Sequence, residues 1–268
     1  VTKAAEAFAN EPSEANLAAL TQASEPVRQE LLRKINMAPG GTRAIVDMRE
    51  TLIGVLKDNR DLEPLNADMQ HLLTSWFNRG FLELRHIDWD TSAAILEKLI
   101  RYEAVHEIQG WEDLRRRLAT DRKCFAFFHP AIPDDPLIFV EVALVHGLAD
   151  SVQALLAPEI DEKAPETANT AIFYSISNCQ AGLKGISFGN FLIKQVVEEL
   201  KREFPQLKQF ATLSPIPGFM GWLRTRQKSM ADDAKLAGQV LAGLSENDWI
   251  NDPVKVANLK KPTLALCA

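Results

Sequence analysis

The stretch Thr170–Phe219, TAIFYSISNCQAGLKGISFGNFLIKQVVEELKREFPQLKQFATLSPIPGF, decides the fold of this chain. Residues 171–177 are rich in β-branched and aromatic side chains, as a strand is. Lys184-Gly185-Ile186-Ser187-Phe188-Gly189 then forms a glycine-bearing turn. Residues 190–204 place Phe191, Leu192, Val196, Leu200 and Phe204 at helical spacing, with Lys194, Glu198, Glu199, Lys201 and Arg202 on the other face. A second strand spans 209–213, which completes a β-α-β unit. Glycines let backbone amides approach a ligand without a Cβ in the way, and a helix N-terminus favours negative charge. Lys184 adds a full positive charge. The spacing is neither that of a P-loop nor that of a dinucleotide GxGxxG, so a phosphate site and a plain structural turn both stay open. Ser214 follows the second strand, and Pro215 and Pro217 stiffen the backbone after it. On its own, a serine before proline reads as a turn residue.

Upstream, the first eighty or so residues read as helices. Ser24 is expected to cap a helix carrying Val27, Leu31, Leu32 and Ile35, with Pro26 in its first turn. Ala38-Pro39-Gly40-Gly41 ends it, and Thr42 is expected to cap the next, with Ile45, Met48, Leu52, Val55 and Leu56 on one stripe. A third follows Pro64 and stops at Gly80. Beyond Gly80 the period changes. Residues 81–88 read as a strand, 92–102 and 111–118 as helices, and 124–129 and 137–145 as strands joined by the turn Pro133-Asp134-Asp135-Pro136. Residues 157–169 read as a loop, 230–244 as a helix, and 263–267 as a closing strand. The fold class expected is α+β: a helical bundle over 1–79, then a mixed α/β domain over 80–268.

The bulk numbers set bounds. A chain of 268 residues, 46% hydrophobic and 25% charged, has the composition of one large or two medium soluble domains. A net charge of −6 leaves no broad basic surface for nucleic acid, and no apolar run approaches the roughly 20 residues of a membrane span. Cys124, Cys179 and Cys267 are widely spaced, with no CxxC pair or Cys/His cluster, so they read as reduced thiols and no metal is expected. Glu141, alone in LIFVEVALV, reads first as an outward-facing residue of an edge strand and second as a buried catalytic or positioning carboxylate. Among five histidines, His129 closes a strand and reads as structural. The chain starts at Val1 and stops straight after an apolar run, so both ends read as cut.

The turn resembles the acyl-CoA loop of GNAT-type acyltransferases, whose pattern is Gln or Arg, two residues, Gly, one residue, Gly or Ala. Lys184 stands at the first position and Gly189 at the last, while Ser187 departs from the usual glycine. Longer words are more specific. FYSISNCQAGLKGISFGNFLIKQVV (173–197), FATLSPIPGF (210–219), LEKLIRYEAVHEIQGWEDLRRRL (96–118), PLIFVEVAL (136–144) and LSENDWINDPVKVANLKKPTLALCA (244–268) closely resemble the malonyl-CoA decarboxylase family. The resemblance runs from about Trp76 to the end of the chain.

That resemblance implies a GNAT-like acyl-CoA-binding domain that decarboxylates malonyl-CoA to acetyl-CoA and CO2 without a cofactor. It implies substrate contacts from Lys184, Gly185, Ile186, Ser187, Phe188, Gly189 and Asn190, and Ser214 as the active-site serine. The serine's partner histidine belongs to a downstream motif that none of His71, His86, His106, His129 and His146 matches, so it is expected beyond residue 268 and the chain is expected to be catalytically incomplete. The nucleotide handle is expected to dock at the start of the long helix. The helical domain is expected to mediate a homodimer or homotetramer, and the compartment is expected to be the cytoplasm, with an organellar home open. Two other readings carry weight: an acyl-CoA-dependent N-acyltransferase, and a CoA-binding or oligomeric scaffold without turnover.

Overall fold

The computed structural model describes residues 1–188 and 191–267, in two compact units, Val1–Leu213 and Ser214–Ala268. The first unit opens with helices α1 (Thr2–Asn10), α2 (Glu14–Ser24), α3 (Val27–Asn36), α4 (Gly41–Val55) and α5 (Glu63–Trp76). Two expected caps move. Ser24 closes α2, donating its hydroxyl to the Thr21 carbonyl at 2.9 Å, and Pro26 becomes the N-cap of α3. Thr42 lies inside α4 and donates to Asn36 Oδ1 at 2.8 Å. The physical reason is the glycine pair before it. Gly40 has φ +70°, and a Cβ on Gly41 would stand 1.8 Å from the Ile35 carbonyl oxygen, so the chain turns there and helix begins at once. The stripes are also narrower than expected. Leu32, Ile45 and Leu52 are buried, whereas Val27, Leu31, Met48 and Val55 face outward.

The helices share a core with a sheet. Strand β1 (Glu83–Ile87) is followed by α6 (Ala93–Tyr102), α7 (Trp111–Arg117), β2 (Arg122–Phe128) and β3 (Ile138–Val145). The short helices α8 (Val152–Leu156) and α9 (Ala164–Thr167) lead to β4 (Thr170–Asn178), α10 (Phe191–Glu203) and β5 (Gln209–Thr212). The strands lie in the order β1-β2-β3-β4-β5. The first three pairings are antiparallel, and β4 with β5 is parallel, as a crossover through α10 requires. Opposite Glu141 and Val142 the register gains one residue, Tyr174, which makes a bulge in β4. Phe127, Val140, Val142 and Phe173 join Ile45, Met69, Leu73 and Phe77 of the helices in one core. Leu192, Val196, Leu200 and Phe204 of α10 enter the same core, each such side chain contributing about 1.5–3 kcal/mol by leaving water. The opposite face meets α6 and α7 through Cys124, Ala126, Phe139, Leu96, Leu99 and Leu114. The α+β order expected from the sequence is therefore the one found.

The second unit is helical: α11 (Phe219–Arg226), α12 (Ala234–Leu244) and α13 (Pro253–Cys267). Leu223, Ala237 and Val240 form its centre, with Phe219, Met220, Leu241, Leu244 and Leu266 packed around them. Residues 263–267, expected as a strand, are the last part of α13, with Pro262 inside that helix. A short apolar run carries no period of its own, and here Leu266 packs against a helical core, with no strand among the described residues of this unit. Helix α11 escaped the sequence reading although Gly218, at φ +79°, starts it and Phe219, Trp222 and Leu223 follow at helical spacing. Among the described residues no helix is long and apolar enough to cross a membrane.

Candidate functional site

The turn after β4 is built by close approach. A one-turn 3-10 helix, Ala181–Leu183, brings Gly182 against α4, where a Cβ would stand 2.0 Å from the Val46 carbonyl oxygen. Gly185 has φ +81°, a left-handed conformation that favours glycine. Ile186 is buried in the core and Phe188 packs against it, which anchors the turn from below. Lys184, Gly185 and Ser187 are exposed. Gly189 and Asn190, expected to contact substrate, lie outside the described residues, and α10 begins at Phe191.

Beside this turn the first unit has a cleft of about 550 Å³. Its walls include Lys184, Gly185, Ile186 and Phe188 of the turn, Arg43 and Glu50 of α4, and Arg101 and Tyr102 at the end of α6. Arg43 is held by Asp47 at 2.5 Å and Asp135 at 3.4 Å, and its Nη1 donates to Gln180 Oε1 at 2.9 Å. Lys184 and Arg101 have no ion pair among the described residues, so the cleft presents cations without internal partners. Such a wall suits an anionic ligand.

Ser214 opens the second unit. It is exposed, as are Pro215, Pro217 and Gly218 after it. Just before it, the Leu213 amide donates to the Phe173 carbonyl at 2.8 Å, which extends the β5 pairing to the end of the first unit.

A buried polar cluster lies under the sheet. Glu141 is 1% exposed, because β3 is a central strand, and this corrects the reading of an outward-facing edge residue. Arg117 Nη1 donates to its Oε2 at 2.9 Å, and Arg117 also binds Asp113. Burial pushes the Glu141 carboxyl up to about 8, against the pull of Arg117. Glu103 accepts from the amides of Val105 and His106 and from the hydroxyls of Ser175 and Ser177, at 2.6–3.1 Å. His106 Nε2 donates to the Tyr174 carbonyl at 3.1 Å, in the bulge. Glu103 and His106 thus bond to β4 at and beside the bulge, where the Tyr174 hydroxyl is buried with no hydrogen-bond partner among the described residues.

His129 is structural, as expected. Its Nε2 donates to the Trp76 carbonyl at 3.0 Å and its Nδ1 accepts from the Ala131 amide at 3.1 Å, which leaves neither nitrogen for chemistry. Cys124 and Cys179 are unpaired and buried, and burial pushes both thiols up, away from the reactive thiolate.

Residues 80–268 match the sequence model described as "Malonyl-CoA decarboxylase C-terminal domain", and residues 1–77 match the N-terminal domain of the same family. The chain belongs to the malonyl-CoA decarboxylase family. It is 33% identical over 283 residues to the goose (Anser anser anser) protein named "Malonyl-CoA decarboxylase, mitochondrial", covering 93% of this chain and 56% of that one. The mouse (Mus musculus) protein of the same name is 32% identical, with the same coverage. The crystal structure of a malonyl-CoA decarboxylase from Rhodopseudomonas palustris is 50% identical with a TM-score of 0.90, covering 99% of this chain and 66% of its own. That from Agrobacterium vitis is 50% identical with a TM-score of 0.86, covering 97% and 64%. The chain thus spans 56% of the curated relatives' length and just under two thirds of these bacterial structures.

Within this member of the family, the turn residues were legible from local sequence and its neighbours were not. Arg43, Arg101 and Tyr102 reach the cleft from elements remote in sequence. Arg101 ends an amphipathic helix, a position where a cation is ordinarily read as favouring the helix C-terminus.

Proposed function

We propose that this chain is the CoA-binding and serine-bearing part of a malonyl-CoA decarboxylase, in which malonyl-CoA loses CO2 to give acetyl-CoA. The observation that carries the reading is the cleft at Lys184, Gly185 and Phe188, open and lined by Lys184 and Arg101, which have no ion pair among the described residues. In this reading the CoA diphosphate meets the turn amides and Lys184, with Gly189 and Asn190 completing the contact. Breaking the bond from the α-carbon to the carboxylate releases CO2 and leaves its electron pair on the thioester, as an enolate whose oxygen needs hydrogen-bond donors. A proton delivered to the α-carbon then gives acetyl-CoA. The thioester itself is the electron sink. Ser214 orients the malonyl carboxylate or helps deliver the proton, working with a histidine other than the five of this chain.

The helical part, residues 1–79, is read as the subunit-contact domain of a homodimer or homotetramer, and residues 80–268 as the GNAT-like catalytic domain. Support comes from Val27, Leu31 and Met37, which are 82%, 60% and 85% exposed on α3 and just after it. A reducing compartment is the reading supported by the unpaired cysteines, with the cytoplasm the first choice and an organellar home open.

The test is incubation with malonyl-CoA alone, since decarboxylation needs no second substrate. A polypeptide extended to the relatives' length should release acetyl-CoA, and Ser214→Ala in it should lower kcat by about 10²-fold or more. The 268-residue chain should bind CoA but turn over far more slowly. An unchanged rate in Ser214→Ala removes the serine from the mechanism.

A further inference from the structure

Beneath the glycine turn lies a buried cation without a buried anion. Arg49, on α4, is 2% exposed. Its Nη1 donates to the Gly182 carbonyl at 2.6 Å, its Nη2 to the Lys184 carbonyl at 2.9 Å, and its Nε to Asn66 Oδ1 at 3.2 Å. All of these acceptors are neutral. Arg117 and Arg122, buried to a similar degree, each hold a carboxylate, Asp113 and Asp121 respectively. Arg49 holds none among the described residues, and its pKa is lowered by burial alone. Taking a guanidinium out of water without an opposite charge is costly, so a buried arginine ordinarily brings its carboxylate with it.

The hydrogen bonds also set the turn's orientation. A planar trans peptide carries its C=O and the following N–H on opposite sides. The carbonyls of Gly182 and Lys184 are drawn to Arg49, and that of Gly185 accepts from Gln70 Nε2 at 3.3 Å. The amides of Leu183, Gly185 and Ile186 therefore point away from those donors. Those of Leu183 and Ile186 close local turns onto the carbonyls of Gln180 and Leu183. The Gly185 amide has no partner among the described residues, and Gly185 lines the cleft.

We infer that Arg49 is a positioning residue for the diphosphate of CoA, holding the turn's carbonyls so that its amides face an anion and supplying a positive charge whose counter-ion is the ligand itself. The inference rests on the reading of the cleft as the CoA site. It assigns the helical part of the chain a role in binding the substrate's nucleotide handle. Lysine cannot replace the planar fork, because one ammonium does not reproduce the two-carbonyl geometry.

The experiment compares two probes by titration calorimetry on the 268-residue chain: CoA, which has the diphosphate, and pantetheine, which lacks it. Arg49→Gln should weaken CoA at least fivefold and leave pantetheine within twofold, and Arg49→Lys should restore only part of the loss. A merely structural arginine would move both probes together. Less than fivefold loss of CoA, or equal loss of both probes, overturns the inference. Should Arg49→Gln lack a cooperative unfolding transition, Gln70→Ala decides in its place. It should weaken CoA at least twofold with pantetheine unchanged, and any other result overturns the inference. Wild-type chain that binds no CoA overturns the reading of the cleft, and the role of Arg49 with it. CoA binding that ignores Arg49 and Gln70 overturns the inference alone.

Discussion

At Glu141 the chain places a carboxylate where solvent cannot reach it, with Arg117 as its partner and Glu103 and Asp113 nearby. Folding raises its pKa, so the stability tied to the protonated form is whole below the ordinary carboxylate range and is lost as pH rises through about 8. Thermal unfolding from pH 5 to 8.5 should therefore show a steeper fall for wild type than for Glu141→Gln, which cannot titrate. Parallel profiles would mean that Arg117 keeps Glu141 ionised throughout. This residue also marks a limit of sequence reading. Alternation along LIFVEVALV says which residues share a face, but not whether the strand is central or at an edge. That depends on β2 and β4, which come from elsewhere in the chain. Lys184 and Gly185 could be read locally because a turn's chemistry is local. Arg49 could not, since within its own helix it is one more charged side chain.

Besides the Arg49 hydrogen bonds, a close approach of Gly182 to Val46 of α4 holds the turn against that helix. Gly182→Ala forces a Cβ into the Val46 carbonyl, so α4 and the turn must separate, at a cost of about 1–3 kcal/mol as for an overpacked core. Urea denaturation measures it. Gly221→Ala in α11, where nothing stands within 4 Å of the added Cβ, should be neutral or stabilise its helix. Equal effects would show that the close approach does not matter. The strand–turn–helix–strand unit was legible because β4 and α10 carry long, regular patterns that match their burial except at Phe191, expected in the core and found exposed at the first turn of α10. The end of α13 was not, because five apolar residues fit a strand or a helix equally and its core partners lie in α12. The cap at Thr42 failed for a related reason, since close backbone approach at Gly41 outranked side-chain capping, whereas Ser24 turns back onto the Thr21 carbonyl of the preceding helix.

Across the whole molecule, the helical bundle and the sheet share one core within the first unit, and that shared core brings α4 under the glycine turn. The order of helices and strands was legible from changes in hydrophobic period. The single core was not, because period reports a face and not what covers it. Family membership extends over both units, from 1–77 through 80–268. The most direct measurement is the position of the CoA diphosphate in a crystal structure of the chain with CoA bound. Diphosphate oxygens are expected about 2.7–3.2 Å from the Gly185 amide and within reach of the Lys184 ammonium, with Arg49 unmoved behind the turn. A diphosphate bound away from this turn, with the cleft beside it empty, would contradict the placement of the nucleotide handle here.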